Sequence, residues 1–299
     1  MLPAEAVRWF HHGGDLMPRL DISTICDRIA VQAPYFAFGE LQGLPDGAVR
    51  GVFASEQTTG YERGPVASAE VGRHLAILGS CAAVAGRATE RIYYLATRAR
   101  FSTLDGAQPR EPGRIFEATA ETVSHDRRSL KAQAIVSDGR PFAHLHCDYQ
   151  ALPERVFQRL FQDYRTEETP LAEGSPYREP IPLEFDEPQA LSLTARSQPL
   201  APARCAGHFP GYPAWPVAII AETIAQVVSR LLHHILGKEV DYSVVRTDVA
   251  ALRLVPAAVS LSFHADCLSA SRTLSHYVFS ARVLWGEEIV ATLDTELRV

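Results

Sequence analysis

The sequence predicts an α+β fold in which two long central helices are each wrapped by a curved antiparallel sheet, the two halves pairing as a pseudo-dimer within one chain. Three observations predict it. An internal repeat runs at an offset of 152: Glu56–His74 (EQTTGYERGPVASAEVGRH) lies under His208–Gln226 (HFPGYPAWPVAIIAETIAQ), each a Gly/Pro-rich turn leading into a helix, with Glu70 under Glu222. Both helices are apolar almost all round, the mark of a buried helix. Each is followed by segments rich in alternating β-branched and aromatic residues, which read as antiparallel strands.

The elements follow in order. PYFAFGELQG and AVRGVFAS are strand-like and precede the first helix. That helix runs on through Leu75–Gly86 (LAILGSCAAVAG), closed by a glycine of the kind that caps helix C-termini. IYYLATRARF, RIFEATAETVSH, SLKAQAIVSDG and RPFAHLHCDYQAL are the strands of the first half. Arg165–Pro182 is polar and proline-rich, a linker by composition, and sets expected boundaries of 1–163, 164–182 and 183–299. The second helix ends in Val227–Gly237 (VVSRLLHHILG), and VVRTDVAALRL, AVSLSFHADCLS, SHYVFSARVLWG and EEIVATLDTELRV are the strands after it. Asp138-Gly139 and Trp285-Gly286 read as hairpin turns. The offset there falls to 147, a difference that the longer loop STLDGAQPREPG absorbs.

Composition narrows the function. The 299 residues carry a net charge of -6, from 29 Lys+Arg against 35 Asp+Glu, with no basic block, so no nucleic-acid partner is expected. Glu222, Gln226 and Arg230 interrupt the longest apolar stretch, and MLPAEAVRWFHHGGD lacks a signal-peptide layout. The expected setting is cytoplasmic and away from a membrane. Five scattered cysteines (Cys26, Cys81, Cys147, Cys205, Cys267), none in CxxC spacing, argue against a disulfide framework or a zinc site.

The stretch Gly207–Gln226 poses the functional question, because an unpaired carboxylate in an apolar helix is costly to bury. Gly207, His208, Phe209, Pro210, Gly211, Pro213, Pro216, Glu222, Ala225 and Gln226 resemble the motif of the hot-dog 3-hydroxyacyl-[acyl carrier protein] dehydratases, with Val217 in place of the family's glycine. The resemblance implies a double hot-dog and a hydro-lyase that removes water from 3-hydroxyacyl thioesters on acyl carrier protein or coenzyme A, in fatty acid or polyketide-like synthesis. It implies no metal or cofactor, and leaves open whether such chains assemble further. Dehydration needs a base, an acid for the leaving hydroxyl, and donors for the thioester carbonyl. A histidine, a carboxyl kept protonated by an apolar pocket, and a helix N-terminus suit those tasks.

In the family, histidine and acid come from different subunits. Carried onto this chain, the rule pairs His208 with Glu70 as catalytic residues, with Glu222 the alternative acid and Phe209, Gly211 and Val217 at the substrate. The counterpart site has Glu56 in place of the histidine and Pro65 in place of Val217, and reads as dead.

Plainer readings stand beside these. His208 can be a turn histidine, Glu70 a helix N-terminal acid favoured by the macrodipole, and a slip of four residues brings His74 to Glu70's place. His144 and His146 share a strand face but read as a plain strand, and the arginines of RATERIYYLATRAR can greet an acidic carrier or simply be solvated. Two alternatives to dehydration are a hot-dog thioesterase, in which the helix acid activates water, and an acyl-thioester-binding subunit without turnover.

Overall fold

In a computed structural model of the chain, residues 18–57, 60–85, 90–104, 114–167 and 174–299 are described. The first half contains α1 (Ile22–Ile29), β1 (Phe38–Gly43), β2 (Val49–Ala54), α2 (Ser68–Val84), β3 (Ile92–Thr103), β4 (Ile115–His125), β5 (Ser129–Ser137), β6 (Pro141–Pro153) and α3 (Glu154–Leu160). The second contains β7 (Leu183–Phe185), β8 (Ser192–Ser197), α4 (Val217–Leu236), β9 (Ser243–Ala251), β10 (Ser262–Ser271), β11 (His276–Trp285) and β12 (Glu288–Arg298).

Among the described residues, the twelve strands form one antiparallel sheet in the order β1-β2-β4-β5-β6-β3-β9-β12-β11-β10-β8-β7. Each half of that order mirrors the other about the β3–β9 junction, as a two-fold repeat requires. Arg98 and Ala250, 152 positions apart, face each other across it. Thr103 Oγ1 donates to the Val244 carbonyl at 2.7 Å and Arg100 Nε to Asp248 Oδ1 at 2.7 Å, which closes the junction with side chains as well as backbone. Both expected hairpins form, β5–β6 around Asp138-Gly139 and β11–β12 around Trp285-Gly286.

The two long helices pack on the sheet and against each other. α2 buries every residue from Glu70 to Val84 except Gly72 and Ala76, and packs on β2, β4, β5, β6 and α4. Its first N–H group is capped from outside the helix: Glu62 Oε1 accepts from Ser68 N at 2.7 Å. α4 buries one face only, Ile219, Ile220, Thr223, Ile224, Val227, Val228, Leu231 and Leu232, against β8 and β10. By length and composition α4 is apolar enough to cross a membrane, with a mean hydropathy of 1.2, despite Glu222 and Arg230. Its apolar stripe is accounted for by this packing, at about 1.5–3 kcal/mol per fully buried Leu or Ile.

Gly237 caps α4 in the left-handed conformation (φ 69°), as expected. The expected cap of α2, Gly86, lies outside the described residues, and the helix ends at Val84 with extended Ala85 after it. The proline-rich segment is more than a spacer: Tyr177 and Ile181 within it are buried in the core.

The turn before α4 is fixed by backbone. Gly207 (φ 83°) gives its carbonyl to Gln32 N at 2.8 Å, and Val31 bridges His208, so a loop of the first half holds a turn of the second. A Cβ at Gly207 would lie 2.1 Å from the Gln32 carbonyl oxygen, whereas one at Gly286 (φ 61°) would meet nothing within 4 Å. Left-handed strain of roughly 1–2 kcal/mol is common to both. Gly207→Ala is therefore expected to lower the thermal unfolding midpoint by several degrees more than Gly286→Ala, and equal shifts would contradict this account of the turn.

Candidate functional site

Two neighbouring features meet where the halves pack: a buried charge cluster and an apolar cavity. The cluster is built on α2. Arg73, 1% exposed, forms an ion pair with Glu56, and its guanidinium lies 4.9 Å from the Tyr177 ring centroid and 5.8 Å from that of Tyr35. His74 Nε2 is 3.3 Å from Arg73 Nη2 and 3.7 Å from Glu70 Oε1, and the imidazole stacks on Phe53. Burial, then the Arg73 charge, lower the His74 pKa and favour its neutral form.

Glu70 and Glu222, equivalent in the repeat, have opposite surroundings. Glu70 accepts from the backbone N–H groups of Glu56 (2.7 Å) and Gln57 (3.2 Å). Burial pushes its pKa up, but His74, the Glu56 N–H and Arg73 outweigh that, and the carboxyl stays below its ordinary value of 4.5. Glu222 is half-buried and pushed up to about 7 by burial, against the pull of Arg73, a hydrogen bond from the Gln57 side chain, and Arg204. Gln57 Nε2 also donates to the Tyr177 carbonyl at 3.2 Å. The acid that bonds its own half's turn is thus Glu70. The acid that reaches the other half is Glu222, on the side that sequence reasoning read as dead.

The cavity, of about 190 Å³, lies between α2 and α4 beneath β3 and β9. Small residues spaced by helical turns form its walls, Gly72, Ala76 and Ser80 from α2 and Ala218, Ala221 and Ala225 from α4. Glu222 is i+4 from Ala218 and i−3 from Ala225, beside this wall, but does not itself line the cavity. Val217 and Ala218 also line it, in the first turn of α4, where N–H groups have no helical acceptor.

His208 lines the same cavity. Burial lowers its pKa to about 3, against a bond to the Ala214 carbonyl, and its Nδ1 has no partner. Its ring packs on Tyr35 and Phe209, with centroids at 4.9 and 4.1 Å, and no acid is paired with it among the described residues. Phe209 (φ 49°) lines the cavity beside it and packs with Tyr93 and Phe157. Gly211 does not line the cavity; its carbonyl accepts from Thr166 N at 2.9 Å.

Sequence reasoning missed Arg73, Gln57, Tyr35 and Tyr177. Only Arg73 left a signal, a cation at i+3 from Glu70 inside an apolar helix. Glu56, Glu70 and His74 present ligand atoms within 4.8 Å of one another, a grouping that can attract a metal, but Arg73 already supplies the cation there.

No family model and no curated protein matches the sequence. Solved structures do match. A tesB protein of Mycobacterium avium subs paratuberculosis superposes with a TM-score of 0.60 at 10% identity, over 93% of this chain and 99% of that one. An acyl-ACP thioesterase from Bacteroides thetaiotaomicron gives 0.53 at 13%, over 85% and 98%. A protein of unknown function with a hot dog fold from Alicyclobacillus acidocaldarius gives 0.52 at 12%, over 91% and 97%. The chain has the hot-dog fold. The expectation of a dehydratase, a hydro-lyase of fatty acid or polyketide-like synthesis, is corrected: similar structures include several named as acyl-CoA or acyl-ACP thioesterases.

Removing one partner of a buried ion pair costs about 3–5 kcal/mol. Arg73→Met is expected to destabilise by that amount in chemical denaturation, and Arg73→Met with Glu56→Gln to recover part of it. Additive losses would show that the pair does not couple.

Glu70 adds a pH dependence. Its folded pKa lies below 4.5, so its stabilisation is present above that value and lost as pH falls through the folded pKa. Glu70→Gln is expected to flatten the acid side of the stability profile, and an unchanged slope would refute this.

Proposed function

We propose that the chain is a double hot-dog acyl-thioester hydrolase, with Glu222 as the base that activates water. One observation carries the reading: a carboxyl pushed up to about 7 stands on α4 one helical turn from Ala218 and Ala225, which wall an apolar cavity, at the edge of that wall rather than in it. A base with a pKa near the working pH is the efficient kind. The thioesterases among the similar structures support the reading at the level of fold. By this reading the substrate is an acyl thioester of coenzyme A or acyl carrier protein.

The acyl chain enters the cavity. Glu222, oriented by Gln57 of the other half, takes a proton from water as the oxygen attacks the thioester carbonyl carbon. The negative charge on the carbonyl oxygen is held by the free N–H groups at the start of α4, Val217 and Ala218, with the neutral His208 imidazole beside them. Collapse of the tetrahedral adduct breaks the C–S bond, and the proton on Glu222 passes to the departing thiolate. Products are a carboxylic acid and a free thiol.

The absence of Glu222 from the cavity wall favours a second reading, a subunit that binds acyl thioesters without turning them over.

Thiol release from acyl-CoA esters of several lengths tests both. The hydrolase reading expects Glu222→Gln to lower kcat at least 100-fold. It also expects wild-type activity to rise through about pH 7, because only ionised Glu222 accepts a proton. A Glu222→Gln variant with near-native turnover would sink the assignment. Saturable binding of a non-hydrolysable thioether analogue with no thiol release at any length would establish the second reading.

A further inference from the structure

One charged side chain lines the apolar cavity among the described residues besides neutral His208, and it stands at the rim: Arg253, between exposed Leu252 (63%) and half-buried Leu254. The rim lies at the α4 end of the cavity, since Trp215 N donates to the Val255 carbonyl at 2.9 Å just before α4 begins. A fully solvated arginine samples many rotamers, but Arg253 is held on three sides. It pairs with Glu288, bonds the Tyr164 hydroxyl, and lies over the Trp285 ring at 4.9 Å. The Tyr164 hydroxyl is fixed in turn by the Leu254 carbonyl at 3.0 Å.

We propose that Arg253 binds a phosphate of the pantetheine arm carrying the acyl group, and so sets affinity for the carrier rather than the rate of hydrolysis. This rests on the thioester reading above. An apolar cavity takes the acyl chain; what remains outside its mouth is a pantetheine arm ending in phosphate, on coenzyme A and on acyl carrier protein alike. A guanidinium matches a phosphate in two parallel hydrogen bonds. The standing partner, Glu288, is no obstacle: the pair is exposed, and such pairs contribute only about 0–1 kcal/mol, so a phosphate can replace it. Glu288 acts as a placeholder that keeps Arg253 aimed at the rim while it is empty.

The test compares dodecanoyl-CoA, dodecanoyl-pantetheine (no phosphate) and dodecanoyl-acyl carrier protein as substrates. Arg253→Ala is expected to raise KM for the CoA ester about tenfold with kcat unchanged, the worth of one charge-assisted contact, and to leave the pantetheine ester unaffected. Glu288→Gln is expected to shift KM for the CoA ester the opposite way, which a merely structural ion pair would not do. A loss shared by the CoA and carrier-protein esters supports the contact at the pantetheine phosphate, and a loss confined to the CoA ester overturns it in favour of the nucleotide phosphates. An equal effect on the pantetheine ester, or none on any, overturns the proposal. Should no ester be hydrolysed, the activity fails while the rim stays testable. Free coenzyme A is then titrated against tryptophan fluorescence, and quenching in the wild type that Arg253→Ala abolishes supports the proposal. Absence of binding in the wild type overturns it.

Discussion

The structure depends on one buried cation. Arg73 sits buried in the second turn of α2, where an unpaired guanidinium would cost several kcal/mol, and its neighbours are arranged around that cost. Glu56 comes from the turn after β2, Tyr35 from the loop after α1, and Tyr177 from the proline-rich segment between the halves. Because Tyr177 donates its hydroxyl to the Ala206 carbonyl, and Tyr35 packs on His208, the same cluster also fixes the turn that leads into α4. A charge in the first half thus sets backbone in the second.

The cluster also breaks the symmetry of the repeat. A homodimer would place both helix acids in one environment. Here Arg73 has as its counterpart Ala225, a cavity wall, so only one half has the cation. Glu70 is drawn into its own turn by two N–H groups and stays ionised, a structural anion. Glu222 is left with a single amide partner from the other half and a raised pKa. Two identical residues at equivalent positions are separated into a brace and a candidate base by what surrounds them, and separated pKa values are how one scaffold assigns acid and base roles.

Much of the fold was legible because it is written in local signals. The repeat at offset 152, the hairpins at Asp138-Gly139 and Trp285-Gly286, and the Gly237 cap all follow from short-range rules and all appear. The candidate site was less legible, for physical reasons. The His-Phe-Pro-Gly stretch specifies backbone: a left-handed Gly207 against Gln32, a left-handed Phe209, and an entry into α4. Those constraints belong to the fold and carry no particular reaction, which is why the motif pointed to the hot-dog correctly and to dehydration wrongly. Across the halves Glu222 meets the Gln57 side chain, while Glu70 finds nearer donors in its own turn. Nothing local foretold Tyr177, which sits in a segment whose composition is that of a linker. The cavity, too, is made of small residues from two distant helices and has no signature in either alone.

The most direct measurement of the central claim is a carbon-detected NMR titration of protein labelled at the glutamate carboxyl carbons, with Glu70 and Glu222 identified by the resonances lost in Glu70→Gln and Glu222→Gln. The account predicts that Glu222 titrates near pH 7 while Glu70 titrates below 4.5. Two carboxyls titrating together near the ordinary glutamate value, or Glu222 already ionised at pH 5, would contradict it.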